Sequence, residues 1–221
     1  MPRHDLPDAS PGPLRQVILA AARHLFTTRG YEATRIADVA AAADVAVGSV
    51  YRYFRDKPAL LAAVHDEYEA RFLVAMHEAA AVDHGVDHAK RVRAVVAALF
   101  DTAAREPDLL AMLALAPQQL VAPDMTVDGA ATVRLPGARL QAAIAEMLAA
   151  GVRDGRFAAV DVAITSALAH GAVEGALRRC FAVDHGRERE RYVDETTAAL
   201  LRMVGASPPT RSAPPRAGRT R

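Results

Sequence analysis

Apolar residues recur at helical spacing from Leu14 through Val17, Ile18, Ala21, Leu25 and Phe26, and Gly30 then supplies a C-terminal stop. Thr34 is placed to cap a second helix, whose inner face is Ile36, Val39, Ala40 and Ala43. After a short turn, Val50 and Phe54 share one helical face and close a small three-helix core with Leu25 and Phe26. Asp56 is the natural cap of the helix that follows, with Lys57 and Pro58 in its first turn, where proline is tolerated. Leu60, Leu61, Val64, Tyr68, Phe72 and Met76 carry its apolar stripe to about Val82. A helix of that size spans roughly 35 Å, long enough to belong to two domains at once.

Asp83, His84, Gly85, Val86, Asp87 and His88 form a polar break. The pattern then predicts helix over Val92–Arg105, a turn at Glu106 and Pro107, and a short apolar helix over Asp108–Leu115. Pro117 to Pro136 is the least regular interior stretch and predicts a loop with a partial turn. Ala138–Val152 is helical and stops in a turn that ends at Gly155. Asp161 starts a helix running to about Ala182, and Arg187–Val204 makes the last one. No segment has strand periodicity. The expected fold class is all-α, with about nine helices: an N-terminal three-helix bundle containing a helix-turn-helix, then a larger helical domain. The expected boundaries are a disordered arm at 1–12, the helix-turn-helix domain at 13–58 (the motif itself about 35–54), the larger domain at 59–204, and a Pro-, Ser- and Arg-rich basic tail at 205–221.

Composition sharpens this reading. Hydrophobic residues make up 52% and aromatics 5%, with no Trp, so the core is mostly Ala, Leu and Val, which favours packed helices. The net charge of +1 decides nothing, but its distribution does. Arg15, Arg23, Arg29, Arg35, Arg52, Arg55 and Lys57 outnumber Glu32, Asp38, Asp44 and Asp56 in the first domain, a modest excess that suits phosphate contacts. Cys180 is the only cysteine, which excludes an intrachain disulfide, fits a reducing cytoplasm, and reads as a buried small hydrophobe. No apolar run approaches the ~20 residues of a membrane span, so a cytoplasmic location is expected. Asp83, His84, Asp87 and His88 have spacing a metal could use, but they sit in a polar interhelix loop, and no metal site is expected there. No catalytic triad, carboxylate pair or phosphate-cradling loop stands out. Neither enzymatic activity nor a cofactor is expected.

A short apolar helix, a tight turn, and a second short helix ending in aromatic and basic residues are what a helix-turn-helix needs to lay its second helix in a DNA major groove. Residue by residue, Val17–Leu61 resembles the DNA-binding domain of the TetR family of transcriptional regulators. Ala21, Phe26, Gly30, Thr34, Val39, Ala40, Ala43, Val45, Gly48, Ser49, Tyr51, Phe54, Lys57 and Leu60 fall at family positions. The run from Gly48 to Phe54, with Lys57 three residues on, is the most specific part. The later helices agree with the family in number, order and length, and Ala150–Phe157 resembles a recurrent family turn. Two family positions differ: Asp44 stands where Gly is usual, and Ala46 where Ser or Thr is usual. The first puts a non-Gly residue in a left-handed turn at about 1 kcal/mol. The second removes a helix cap of roughly 1 kcal/mol and one phosphate bond.

Roles follow from position in this register. Val47, Gly48 and Ser49 open the second helix, where side chains reach base edges. Gly48 allows close backbone approach, Ser49 hydrogen-bonds a base or phosphate, and Val47 suits a thymine methyl. Thr34, Tyr51, Tyr53 and Lys57 are assigned to phosphates, and Arg35 and Arg52 suit either task.

A helix-turn-helix usually binds as a symmetric pair, so a homodimer is expected. The last two long helices offer Ala167, Leu168, Gly171, Ala172, Gly175, Ala176, Leu177, Leu200, Leu201 and Met203, and the resemblance implies a four-helix dimer contact. It also implies an effector cavity among the middle helices. Candidate lining residues are Phe72, Met76, Phe100, Met112, Leu113, Leu115 and Met147, with His170 and Glu174 for polar contacts; the alternative is plain core packing for each apolar residue, and a partly exposed ion pair or interface hydrogen bond for His170 and Glu174. The resulting expectation is a repressor that binds a palindromic operator as a dimer and is released by a small, mostly apolar effector. The alternatives are an activator or ligand-independent DNA binder, and a helical ligand-binding protein that has lost DNA binding.

Overall fold

The computed structural model describes residues 12–82, 87–106, 123–127, 130–133 and 137–206. The expected arm, most of the basic tail and the short helix over Asp108–Leu115 lie outside these residues. The helices are α1 (Pro13–Thr28), α2 (Ile36–Ala42), α3 (Val47–Tyr53), α4 (Lys57–Ala81), α5 (His88–Arg105), α6 (Ala138–Arg153), α7 (Val162–Arg178) and α8 (Arg189–Met203). A five-residue π-helical turn, Arg179–Val183, extends α7. Within the stretch expected to be loop, β1 (Pro123–Val127) and β2 (Ala130–Val133) pair antiparallel, Pro123 opposite Val133, with an irregularity between Asp124 and Val127. That hairpin escapes a periodicity search because each strand is too short to show alternation against its neighbours. The fold remains all-α in class.

The chain forms two compact units, Met1–Arg71 with Glu106–Ala138 and Phe72–Arg105 with Arg139–Arg221. Helix α4 runs through the boundary between Arg71 and Phe72 without a break.

In the first unit, Ile18, Leu19, Ala22, Leu25 and Phe26 of α1 are buried with Ile36, Val39 and Ala40 of α2, Val50 of α3, and Leu60, Leu61 and Val64 of α4. Val17, although it shares the helical spacing of these apolar residues, is 47% exposed. Gly30 takes φ +85°, the left-handed turn that stops α1. Thr34 does not cap α2. Its buried hydroxyl instead donates to the Gly30 carbonyl at 2.8 Å, with the Leu25 carbonyl at 3.3 Å, and so ties the start of α2 back to the end of α1 and the turn after it. The cap position falls to Arg35, whose N–H donates to the Asp38 carboxylate at 2.9 Å. Asp56 caps α4 as its position predicts, its carboxylate accepting the Ala59 N–H at 2.8 Å.

In the second unit, α5 and α8 are tied by ion pairs along their length. Arg93 donates to Asp194 at 2.9 Å and to Glu190 at 2.8 Å, and Arg189 reaches Asp101 at 2.8 Å. Asp161 caps α7 through the Ile164 N–H at 3.0 Å. Phe100 is fully buried with its ring 6.1 Å from that of Phe181 in the π-helical turn. Cys180, in the same turn, is buried as expected, and burial pushes its thiol up from the ordinary range. Among the described residues, no helix is long and apolar enough to cross a membrane.

Candidate nucleic-acid interface and effector cavity

The geometry of the α2–α3 turn follows from how α2 ends. The Val45 N–H reaches back to the Ala40 carbonyl at 2.9 Å, and the Asp44 N–H to the Ala41 carbonyl at 3.2 Å. This pair of bonds closes a Schellman turn, which requires a left-handed residue after the cap. Asp44 supplies it at φ +54°. Helix α3 then starts from Ala46 with no side-chain cap.

The turn leaves most of α3 facing outward. Val47 is 41% exposed, Tyr51 52% and Tyr53 38%, while Val50 alone is buried and anchors the helix. Gly48 and Arg52 are exposed and Ser49 is half-buried. A Cβ placed on Gly48 would meet nothing within 4 Å, and its φ is ordinary, so this glycine is not required by the fold. The Arg52 guanidinium lies 5.3 Å from the Tyr53 ring centroid, and that of Arg15 lies 5.4 Å from Phe54, which places two cations beside the α3 surface. Arg35 is exposed at the start of α2.

Two residues assigned to phosphate are committed inward. Thr34 is buried and spends its hydroxyl on backbone carbonyls, which removes it from a solvent-facing set. Lys57 donates to the carbonyls of Tyr31 at 3.0 Å and Thr34 at 3.2 Å, with that of Glu32 at 3.5 Å, and its ammonium lies 4.2 Å from the Tyr31 ring centroid. Sequence position alone does not reveal this, because the partners are backbone atoms more than twenty residues away.

The second unit contains a cavity of about 230 Å³, many times the ~10–15 Å³ that one water needs. Its walls are mainly apolar side chains of α5, α6, α7 and α8, with Met76 contributed by α4. Of the expected effector residues, Met76 and Met147 line it. Phe72 and Phe100 are buried elsewhere in the unit, His170 and Glu174 do not reach it, and Glu174 pairs with Arg178 at 3.6 Å. Met112, Leu113 and Leu115 lie outside the described residues. Leu200, Leu201 and Met203, taken from the sequence as dimer residues, line the cavity, though Met203 is also 38% exposed. Polar members that the sequence does not assign to a cavity are His88, Arg91, Arg156 and Thr165. The available signal was a charge on an apolar stripe: Arg91 stands four before Val95 on the face that also carries Val92, Val96 and Leu99.

A second apolar surface lies on α7. Ile164 is 61% exposed and Leu168 58%, Ala167 and Gly171 are exposed, and Ala172 and Gly175 are half-buried on neighbouring turns. A Cβ at Gly171 or Gly175 would meet nothing within 4 Å.

Metal-ligand geometry is sparse. Asp83 and His84 lie outside the described residues, Asp87 caps α5 through the Lys90 N–H at 3.0 Å, and His88 lines the cavity. His65, Asp66 and Glu69 on α4 each bring one potential ligand atom within 4.8 Å of the others, and no fourth His, Cys, Asp or Glu joins them among the described residues.

Residues 18–64 match the family model of bacterial regulatory proteins, tetR family. No curated protein matches the sequence. Among solved structures, the fold is similar to a putative TetR-family transcriptional regulator from Syntrophomonas wolfei (20% identity, 89% of this chain and 97% of that one, TM-score 0.70). It is also similar to the transcriptional regulator FadR from Bacillus subtilis in complex with stearoyl-CoA (18% identity, 86% and 97%, TM-score 0.64). RolR in complex with resorcinol shares it as well (20% identity, 87% and 88%, TM-score 0.57). The chain thus carries, at residues 18–64, a domain that matches the tetR family of bacterial regulatory proteins, on an all-helical fold shared with these structures.

Proposed function

We propose that the chain is a dimeric repressor that binds a palindromic DNA operator through α3 and releases it when a small molecule enters the cavity of the second unit. The observation that carries the DNA-binding half is the outward face of α3. Val47, Tyr51 and Tyr53 are exposed beside Arg52, and Gly48 has no reason for its missing side chain within the protein. A duplex brought against that face accounts for each of them. Bases meet Val47, Gly48 and Ser49, and phosphates meet Tyr51, Arg52, Tyr53 and Arg35.

The dimer reading is supported by the exposed Ile164 and Leu168 and by the open space over Gly171 and Gly175, which lets a second helix approach closely. Two recognition helices one DNA turn apart, ~34–36 Å, fit such a pair. The effector reading is supported by the apolar cavity and by family-fold relatives solved with stearoyl-CoA and with resorcinol. Helix α4 is continuous between the units and is the coupling element in this reading, so DNA and effector weaken each other reciprocally.

Selection of bound duplexes from a random pool tests the proposal. A palindromic motif retained by a dimer, and lost on adding a cavity ligand, is expected. Failure to retain any duplex at low salt would sink the regulator reading, and a monomer by light scattering at micromolar concentration would sink the dimer.

A further inference from the structure

We infer that the cavity of the second unit is built for an amphipathic anion, an apolar body ending in a carboxylate or phosphate group that Arg91 and Arg156 bind. This inference rests on the effector reading above and adds the chemical class.

The lining contains two arginines, one histidine and no carboxylate. Arg156 has a partner in Asp154, yet its Nε is buried without a hydrogen bond. Arg91 has no ion pair among the described residues, and its Nε is also buried without one. A buried donor with no acceptor costs free energy, and a guanidinium beside an apolar void costs more unless an anion joins it. Arginine presents its donors as a planar fork that fits carboxylate and phosphate oxygens in pairs. The rest of the wall is apolar, from Val92, Val95 and Leu99 to Met147 and Val173, and suits a hydrocarbon or ring rather than a polar body.

The position of Arg156 is fixed by its surroundings. It follows Gly155, at φ +68°, in a turn whose Arg156 and Phe157 N–H groups both donate to the Gly151 carbonyl, at 2.9 and 3.1 Å. The next N–H, of Ala158, donates to the Val204 carbonyl at 2.9 Å. The turn is thus clamped between the ends of α6 and α8, and Arg156 is held at the cavity wall. Arg91 is carried one turn into α5, below the Asp87 cap.

The test is isothermal titration of the full chain with four ten-carbon probes below their micellar concentrations: decanoate, decyl phosphate, 1-decanol and decyltrimethylammonium. One or both anions are expected to bind about 10- to 100-fold more tightly than the alcohol, the range of a charge-assisted hydrogen bond, and the cation not at all. Whichever anion binds more tightly identifies the head group. Arg91→Met is expected to bring anion affinity down to that of 1-decanol and leave the alcohol unchanged, while Arg91→Lys keeps part of the difference. The comparison of probes on the unaltered chain stands even if a variant does not fold. Equal binding of 1-decanol and both anions overturns the anion site and leaves the effector cavity in place. An anion preference that survives both Arg91→Met and Arg156→Met overturns it too. Binding by none of the probes overturns the class altogether, and release of selected duplex by other compounds then judges the effector reading separately.

Discussion

The Lys57 ammonium lies 4.2 Å from the centroid of the Tyr31 ring and 3.0 Å from the same residue's carbonyl oxygen. With the Thr34 carbonyl at 3.2 Å, it fastens the start of α4 to the connection between α1 and α2. A lysine that looks like a phosphate contact in sequence is therefore a latch within the fold. The Tyr31 phenol responds to the same setting, raised by burial and then by the nearby Glu32 and Asp56 charges. Lys57→Met is expected to lower the stability of the first unit by about 1–2 kcal/mol, the scale of charge-assisted hydrogen bonds at a half-buried site. Urea unfolding followed by circular dichroism measures it. An unchanged midpoint together with a flatter salt dependence of duplex binding would return Lys57 to the phosphate set.

The turn before α3 carries two removable defects. Asp44 holds φ +54° where glycine is unstrained, and Ala46 offers no cap to α3. Asp44→Gly is expected to raise stability by about 0.5–1 kcal/mol. Ala46→Ser adds about 1 kcal/mol through a new N-cap. The two sites act on different helix ends, so thermal midpoints of the single and double variants are expected to rise additively. A fall with Asp44→Gly would mean that the aspartate makes a contribution larger than its backbone cost.

The helices were legible because their signals are local: apolar spacing, Asp56 and Asp161 as caps, Gly30 as a stop. What the sequence hid depends on distant backbone atoms. Thr34 has the chemistry of a cap and the spacing of one, but its hydroxyl turns back to the carbonyls of Gly30 and Leu25 instead. The cavity shows the same limit. Phe72 and Phe100 have the size of lining residues, yet three-dimensional packing turns them into core, and Arg156 reaches the wall only because of the turn around Gly151.

Asp56 gives a pH signature with a fixed sign. The Ala59 N–H holds its carboxyl below the ordinary value, with Arg55 adding to the effect. A lowered folded value means the cap stabilises above the unfolded pKa, near 3.9, and is lost as pH falls through the folded one. Asp56→Ala is expected to cost about 1 kcal/mol at neutral pH. Below about pH 4 the unaltered chain and the variant should converge. Midpoints from urea titrations across that range measure the difference, and a gap that persists at the acid end would assign it to something other than the charged cap.

Two glycines predict opposite responses to the same added methyl group. At Gly151 a Cβ would lie 2.1 Å from the Phe157 ring, so Gly151→Ala must push that ring off the wall of the cavity. The expected cost is about 1–3 kcal/mol, the range for overpacking, with weaker ligand binding in the second unit. At Gly48 the added carbon meets nothing within 4 Å, and alanine is the better helix former by roughly 1 kcal/mol. Gly48→Ala is therefore expected to stabilise the free protein by about 0.5–1 kcal/mol while weakening the selected duplex, because the methyl fills the space that DNA is proposed to enter. Tyr51→Phe and Arg52→Gln should weaken all duplexes alike, and Arg52→Gln should also lower the salt slope by about one. Unfolding and duplex titration on the same Gly48→Ala preparation decide the matter. A gain in stability with unchanged affinity would mean that the outward face of α3 meets no duplex at that residue.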